Sequence, residues 1–365
     1  MTRSVLGEAA QARFDDARFA AIRRIGEVAQ RERCDFVVVC GDVFESNQVD
    51  RRTLARALDA LAEIPCPVYL LPGNHDPLDT ASLFRRPAFE RAAPPTLHVI
   101  ADARPIEVAP GVELVGAPWR SRRPEANPAL AALEALGPVG PLRILAAHGG
   151  LDALTPDRRD ASALPLAPLE RALAEDRLHY VALGDRHSLT RLAEERVCYA
   201  GAPVATDWGE REPGFALLVE LERTGVRTSP QPIDDWRFVG PERAVLEGEA
   251  DVAALAERLE GLSAKERTVL RLELGGALDL RAAARLEAAL ERVRDLFAGL
   301  DLRDEGLRVG AADADLDELG LSGFAQRAAL RLREASDRDG EDARCARDAL
   351  GLLVRLATDE AGERP

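Results

Sequence analysis

The chain has 365 residues, an apolar fraction of 46% and a net charge of −15, a composition that admits two or three folded domains and disfavours a sequence-independent nucleic-acid coat, which needs clustered cations. No segment approaches the roughly 20 apolar residues of a membrane span, and the amino terminus has no apolar stretch of signal-peptide length. Its five cysteines, Cys34, Cys40, Cys66, Cys198 and Cys345, include no CxxC pair, so a reducing, cytoplasmic setting is expected. The acidity is uneven: from Pro241 onward 19 Lys and Arg face 28 Asp and Glu, a net of −9 out of the −15, which leaves room for a basic groove in the first part.

In chain order, apolar residues at helical spacing predict an amphipathic helix over 8–33, feeding a strand at Phe36 to Val39. A helix over Asp50 to Ala62, a strand at Val68 to Leu71 and a short helix around Ala81 to Arg91 follow. Short β runs come next, at Leu97 to Ile100, Ile106 to Val108, Val112 to Val115, Ile144 to Ala147, Tyr180 to Leu183, Val197 to Ala200 and Phe215 to Glu220. This order predicts two sheets packed face to face with helices outside. The segment SPQPIDDWRFVGP marks a boundary, giving a first domain over 1–240. A small α/β unit over 241–310 contains helices at Val252 to Leu262 and Leu280 to Phe297, and strands at Thr268 to Leu274 and Gly306 to Val309. The last part, 311–365, reads as a polar loop and two helices, Gly323 to Ala335 and Glu341 to Thr358, whose apolar faces need a body or partner to dock on.

Chemistry concentrates in two runs that each follow an apolar strand, CGDVFES at Cys40 to Ser46 and PGNHDP at Pro72 to Pro77. Such strands deliver side chains to the carboxyl edge of a sheet, where open α/β sheets build their sites. Asp42 is the candidate bridging carboxylate of a metal pair and Asn74 an amide ligand, a mixed donor set that suits Mn²⁺, Zn²⁺ or Fe better than Ca²⁺. His148, after the strand RILAA, and Asp185 with His187, in VALGDRHS, should emerge at the same edge. His75 is placed to give a proton to a leaving oxygen or to stabilise phosphate charge, and Asp76 either orients it or is a turn residue before Pro77. His98 and His179 receive no role. Arg85–Arg86, Arg122–Arg123 and Arg158–Arg159 are candidates for phosphate-backbone contacts. Trp119 and Trp208 either stack on bases or pack.

Taken together, GDVFES, PGNHDPL, HYVALGDRH and CYAGAPVATDWGE resemble the calcineurin-like metallophosphoesterases, and within them the SbcD-type DNA exonuclease subunits. The resemblance covers about residues 1–240; the later parts are similar to the family's capping domain and ATPase-docking helices in order and size only. It implies a four-layer αββα sandwich with a small α/β capping domain and C-terminal helices. It also implies two divalent ions, expected to be Mn²⁺ with Mg²⁺, Zn²⁺ or Fe as alternatives, DNA as substrate, an SMC-like coiled-coil ATPase as partner, and a homodimer. By position Asp42 would bridge the ions, Asn74, His148 and Asp185 would complete one, His187 would join the other, and His75 would be the catalytic imidazole.

Two departures bear on this. The family's Gly-His-x-His is here Gly184-Asp185-Arg186-His187, which puts a carboxylate in place of an imidazole and is expected to alter metal preference, unless Arg186 neutralises Asp185. No Asp-x-His precedes Asp42. The expectation is a natural start upstream of Met1; the alternative is a chain lacking its first strand and half of one metal site. The competing functions are a nucleotide or small-molecule phosphodiesterase on the same fold and a catalytically impaired scaffold.

Overall fold

The computed structural model describes residues 5–137, 140–154, 162–309 and 323–336, with scattered positions between 342 and 353. The chain divides into two compact units, one of Ala12–Trp236, the other of Thr2–Gln11 with Arg237–Pro365.

In the first unit, helix α1 (Glu8–Glu32) precedes strand β1 (Val37–Cys40), helix α2 (Arg51–Ala62), β2 (Val68–Leu71), helix α3 (Pro87–Ala92) and β3 (Leu97–Val99). The three strands form a parallel sheet in the order β1-β2-β3. Helix α2 starts where Asp50 Oδ1 accepts the N–H groups of Arg52 and Thr53, both at 2.9 Å, satisfying donors that a helix start leaves open. Its Leu54, Ala57, Leu58 and Leu61, one face at helical spacing, are buried with Val68 and Leu70 of β2. The single helix expected around Ala81 to Arg91 is instead a 3-10 turn (Leu83–Arg85) followed by α3. Pro87 is the cause: the residue before a proline is pushed out of the helical region, and Arg86 is extended with φ −76° and ψ 137°.

A second sheet is built from β4 (Ile106–Ala109), β5 (Val112–Gly116), β6 (Leu142–His148), β7 (Tyr180–Gly184), β8 (Thr190–Leu192) and β9 (Val197–Tyr199), in the order β4-β5-β6-β7-β9-β8. Pairing is parallel from β5 through β9 and antiparallel at the two edges. Tyr69 and Leu71 of β2 meet Leu114, Ile144, Ala146, Tyr180, Ala182 and Cys198 in one apolar layer between the sheets. Helices α4 (Pro128–Glu134) and α5 (Leu166–Ala174) bury Ala129, Ala132, Leu133, Leu169 and Leu173 on the far side of the second sheet with Leu145, Val181 and Leu183. Alternation along each strand thus sends side chains to two different cores, and the result is the four-layer αββα arrangement. Strands β10 (Phe215–Glu222) and β11 (Gly225–Pro232) form an antiparallel hairpin. Strand β1 pairs with β2, and among the described residues its other edge has no partner strand.

The second unit has a parallel sheet of β12 (Arg237–Leu246), β13 (Thr268–Leu278) and β14 (Gly299–Val309), with helices α6 (Glu249–Gly261) and α7 (Leu280–Leu296) between consecutive strands. Val252, Leu255 and Leu259 of α6 and Leu286, Leu290 and Val293 of α7 bury the Leu270, Leu272 and Leu274 side chains of β13. Strand β12 begins inside the segment read from sequence as a boundary, and β13 and β14 are longer than expected. Helix α8 (Gly323–Ser336) packs Ala329 with Leu280 and Ala284 of α7 and with Leu350. The polar loop expected after Ala311 and much of the last helix fall outside the described residues, as do Arg158 and Arg159. Among the described residues no helix is long and apolar enough to cross a membrane.

Candidate metal centre

Four strand ends converge. Gly41-Asp42 follows β1, Gly73-Asn74-His75-Asp76 follows β2, His148 ends β6, and Gly184-Asp185 ends β7. Asp42 has φ 53° and Asp185 φ 95°, left-handed backbone that aspartate tolerates better than most residues and that clusters at functional sites. His148 Nε2 lies 3.3 Å from Asp42 Oδ2 and 3.7 Å from Asp185 Oδ1. Ligating atoms of Asp42, His148 and Asp185 all lie within 4.8 Å of one another.

His148 is fully buried, and its Nδ1 is 2.8 Å from the Cys40 carbonyl oxygen. Donation of Nδ1–H to that carbonyl leaves the Nε2 lone pair facing the two carboxylates, the arrangement by which a second partner fixes a metal-binding histidine. The backbone of His148 is held as well: its carbonyl accepts Trp119 Nε1–H at 2.9 Å and Asn127 Nδ2–H at 3.0 Å. Trp119 is 3% exposed, so it packs and does not stack on a base. The Asn74 carboxamide can present either atom. Turned inward, its nitrogen donates to His148 Nε2 at 2.7 Å and to Asp42 Oδ2 at 3.1 Å, while its oxygen is the atom a cation would take.

The electrostatics fit a cation. Burial opposes ionisation of Asp42, but the His148 imidazole and the His75 N–H outweigh it and hold the carboxyl below the usual range. Burial also opposes a charged His148, yet Asp42, the Cys40 carbonyl and Asp185 together favour its cation. Asp185 is pushed up by burial and by Asp42. Two carboxylates sharing one imidazole make a site where a proton and a divalent ion compete, and the oxygen-rich donors Asp42, Asp185 and Asn74 with one imidazole suit a transition-metal dication.

His187 stands outside this trio. Its Nδ1 is 2.7 Å from Glu210 Oε1 and 2.9 Å from Thr206 Oγ1, and the Glu210 hydrogen bond raises its affinity for a proton. Glu210, with a side chain 5% exposed, also accepts the Thr206 N–H at 2.7 Å. The carboxylate fixes the ring so that Nε2 faces away from it. Glu210→Gln is therefore expected to weaken divalent-ion binding about tenfold with little loss of fold, measurable by titration with Mn²⁺.

Of the two readings of Asp76, the geometry fits the turn residue. Its carboxylate does not touch His75; it accepts Gly73 N–H at 2.8 Å and Phe44 N–H at 3.0 Å, tying the loops after β2 and β1 together. His75 is exposed and its Nδ1 lies 3.2 Å from the Glu45 carbonyl oxygen. Burial pushes the Asp76 carboxyl from 3.8 up to about 6. Because the folded-state value lies above the unfolded one, Asp76 contributes stability that is full below about pH 4 and lost as pH rises through about 6. In metal-free protein the wild type should thus lose about 3 kcal/mol relative to Asp76→Asn across that window, read from urea unfolding at pH 4 and pH 7.

Arg186 does not neutralise Asp185: its Nε donates to Thr190 Oγ1 at 2.9 Å. Of the residues that hold the site, Asn127 and Glu210 were not assigned from sequence, and Trp119 takes the packing alternative of its two readings. Asn127 carried a legible signal, an Asn-Pro pair opening a helix, and its Oδ1 accepts the Ala129 N–H at 2.9 Å.

A family model described as calcineurin-like phosphoesterase matches residues 15–219, more than half of the chain. The crystal structure of TT1561 of Thermus thermophilus is similar at 15% identity and a TM-score of 0.36, covering 57% of this chain and 92% of that one. A second solved structure matches at 15% identity and a TM-score of 0.38, covering 60% of this chain and 95% of its own. No curated protein matches.

Proposed function

The chain belongs to the calcineurin-like phosphoesterases, and from that premise we propose that it is a phosphodiester hydrolase acting on DNA, the nuclease subunit of a cytoplasmic repair complex with an SMC-like coiled-coil ATPase. The observation that carries the chemistry is the convergence of Asp42, His148 and Asp185 within 4.8 Å. These three, with Asn74, would hold one divalent ion, Mn²⁺ or Mg²⁺ by their donor atoms, and Asp42 with His187 would contribute to a second. A divalent ion bound there supplies charge that polarises a phosphoryl oxygen and favours an ionised water.

The remaining work falls to the chain. Gly73 and Gly184 let the loops approach closely enough for the carboxylates to face His148. His75, exposed beside Asp42 with its backbone N–H 2.9 Å from Asp42 Oδ1, keeps Nε2 available to pass a proton to the leaving oxygen. DNA as substrate rests on the GDVFES, GNHDPL and GAPVATDWGE runs. The ATPase partner rests on helix α8, where Phe324 is 81% and Leu330 42% exposed, apolar surface of the kind that marks protein interaction.

The test is incubation of the purified protein with Mn²⁺ and single- or double-stranded DNA. Cleavage that stops with a chelator and with Asn74→Ala supports the proposal. Intact DNA alongside hydrolysis of a chromogenic diester would replace it with the small-molecule phosphodiesterase reading.

A further inference from the structure

Next to the metal centre lies a cavity of about 240 Å³, lined by Gly150, Leu151, Leu154, Asp185, Arg186 and Tyr199. It shares Asp185 with the ligand cluster, so whatever fills it sits beside the group bound there. Sites for whole small molecules run from about 300 to 1,000 Å³, which makes this cavity the size of one portion of a substrate. Tyr199 is fully buried and its O–H is already committed to the Gly149 carbonyl at 2.8 Å. Among the described lining residues, the cavity's chemistry therefore comes down to Asp185 and Arg186.

Arg186 has an unusual position for a guanidinium. Its Nε is taken by Thr190 Oγ1, whose own proton goes to the Ser188 carbonyl at 3.1 Å. Among the described residues no carboxylate pairs with it. Among the described residues no partner takes its two terminal nitrogens, a fork that matches a tetrahedral oxyanion. Asp185 opposes an anion in this cavity only while its own charge is uncompensated, and the ion it would help to hold removes that opposition.

We infer that Arg186 and this cavity form a subsite for a second phosphate of the substrate, adjacent to the phosphodiester that is hydrolysed. The inference rests on the phosphodiesterase reading above and sharpens it: the preferred substrate is a polyanionic chain, and Arg186 is the residue that senses the neighbouring phosphate. An isolated diester would leave the guanidinium unmatched.

Matched substrates test this. The p-nitrophenyl ester of thymidine 5′-phosphate is compared with the same compound bearing a 3′-phosphate, and the 3′-ester with its 5′-phosphorylated form, using wild type, Arg186→Gln and Arg186→Lys in Mn²⁺. In at least one pair the extra phosphate should raise kcat/KM of the wild type about tenfold, mostly through KM, the order of one charge-assisted hydrogen bond. Arg186→Gln should lose that gain, and Arg186→Lys, which keeps the charge and the loop, should retain part of it. Because each variant is compared with itself on two substrates, a general loss of folding or activity cancels. A gain that survives intact in Arg186→Gln, or no gain in the wild type for either pair, overturns the subsite and leaves the hydrolase standing. Failure of the wild type to cut any of the four compounds overturns the subsite, while the phosphodiesterase reading then falls only if DNA is left intact as well.

Discussion

Asp42→Asn should lower metal-dependent phosphoester hydrolysis by about 10³-fold, the size expected when several kcal/mol of charge stabilisation are removed from a metal site. The substitution is close to isosteric, and the Asn Oδ1 still accepts the His75 N–H that Asp42 Oδ1 now holds at 2.9 Å. What disappears is the negative charge 3.3 Å from His148 Nε2. That charge both favours a cation between the two groups and sets the position of the imidazole against Asp185. Thermal unfolding should change little, which separates loss of the site from loss of the fold. Activity within tenfold of wild type would mean that Asp42 is a turn residue with no part in the chemistry.

Among the described residues, Gly184→Ala should be the most damaging added methyl. A Cβ at Gly184 would overlap the Cys40 carbonyl oxygen, lie 2.7 Å from the Cys40 carbonyl carbon and 2.9 Å from His148 Nδ1. No flexible side chain can yield there, because the obstacle is the backbone of β1. The same Cys40 carbonyl orients His148, so the strain falls on the hydrogen bond that aims Nε2 at the carboxylates. A cost of about 3 kcal/mol is expected for overpacking against fixed atoms, a fall in Tm of roughly 6–12 °C for a unit of this size. Ion binding should be lost together with stability. Gly73 is the counterpart on the loop after β2, where a Cβ would overlap the Asp42 backbone nitrogen and its Oδ1. A Gly184→Ala protein with wild-type Tm and wild-type Mn²⁺ affinity would show that the two sheets are not held at this distance.

The candidate ligands were legible because each follows an apolar run that could only be a strand. Strand β1 ends at Cys40 and delivers Asp42; β6 ends at His148; β7 ends at Gly184 and delivers Asp185. A single rule, that parallel strands discharge their chemistry at their carboxyl ends, places all of them at one edge without any knowledge of contacts. The roles of Asp76 and Glu210 were out of reach by the same rule. Asp76 accepts one N–H from Gly73, three residues before it, but its other partner, Phe44, lies 32 positions away, and Glu210 finds His187 across 23 positions. Local spacing carries no information about such pairs.

Helix ends were read closely, as for α2 and α7, where caps and helical spacing agree. Strand β11 was missed because GVRTSPQP places two prolines in eight residues, a pattern that speaks against a central strand but is tolerated in an edge hairpin. Strand β12 was hidden by its Pro241 and by the turn-like composition before it. In both cases pairing with a neighbouring strand, β10 or β13, outweighs weak local propensity.

The most direct measurement is titration of metal-free protein with Mn²⁺, following free ion by its electron paramagnetic resonance signal, for the wild type and for Asp42→Asn. The account predicts at least one tightly bound ion per wild-type chain, release of a proton on binding as His148 gives up its cation, and loss of that ion in Asp42→Asn. Absence of tight binding to the wild type, or equal binding by Asp42→Asn, would contradict the assignment of Asp42, His148 and Asp185 as a metal centre.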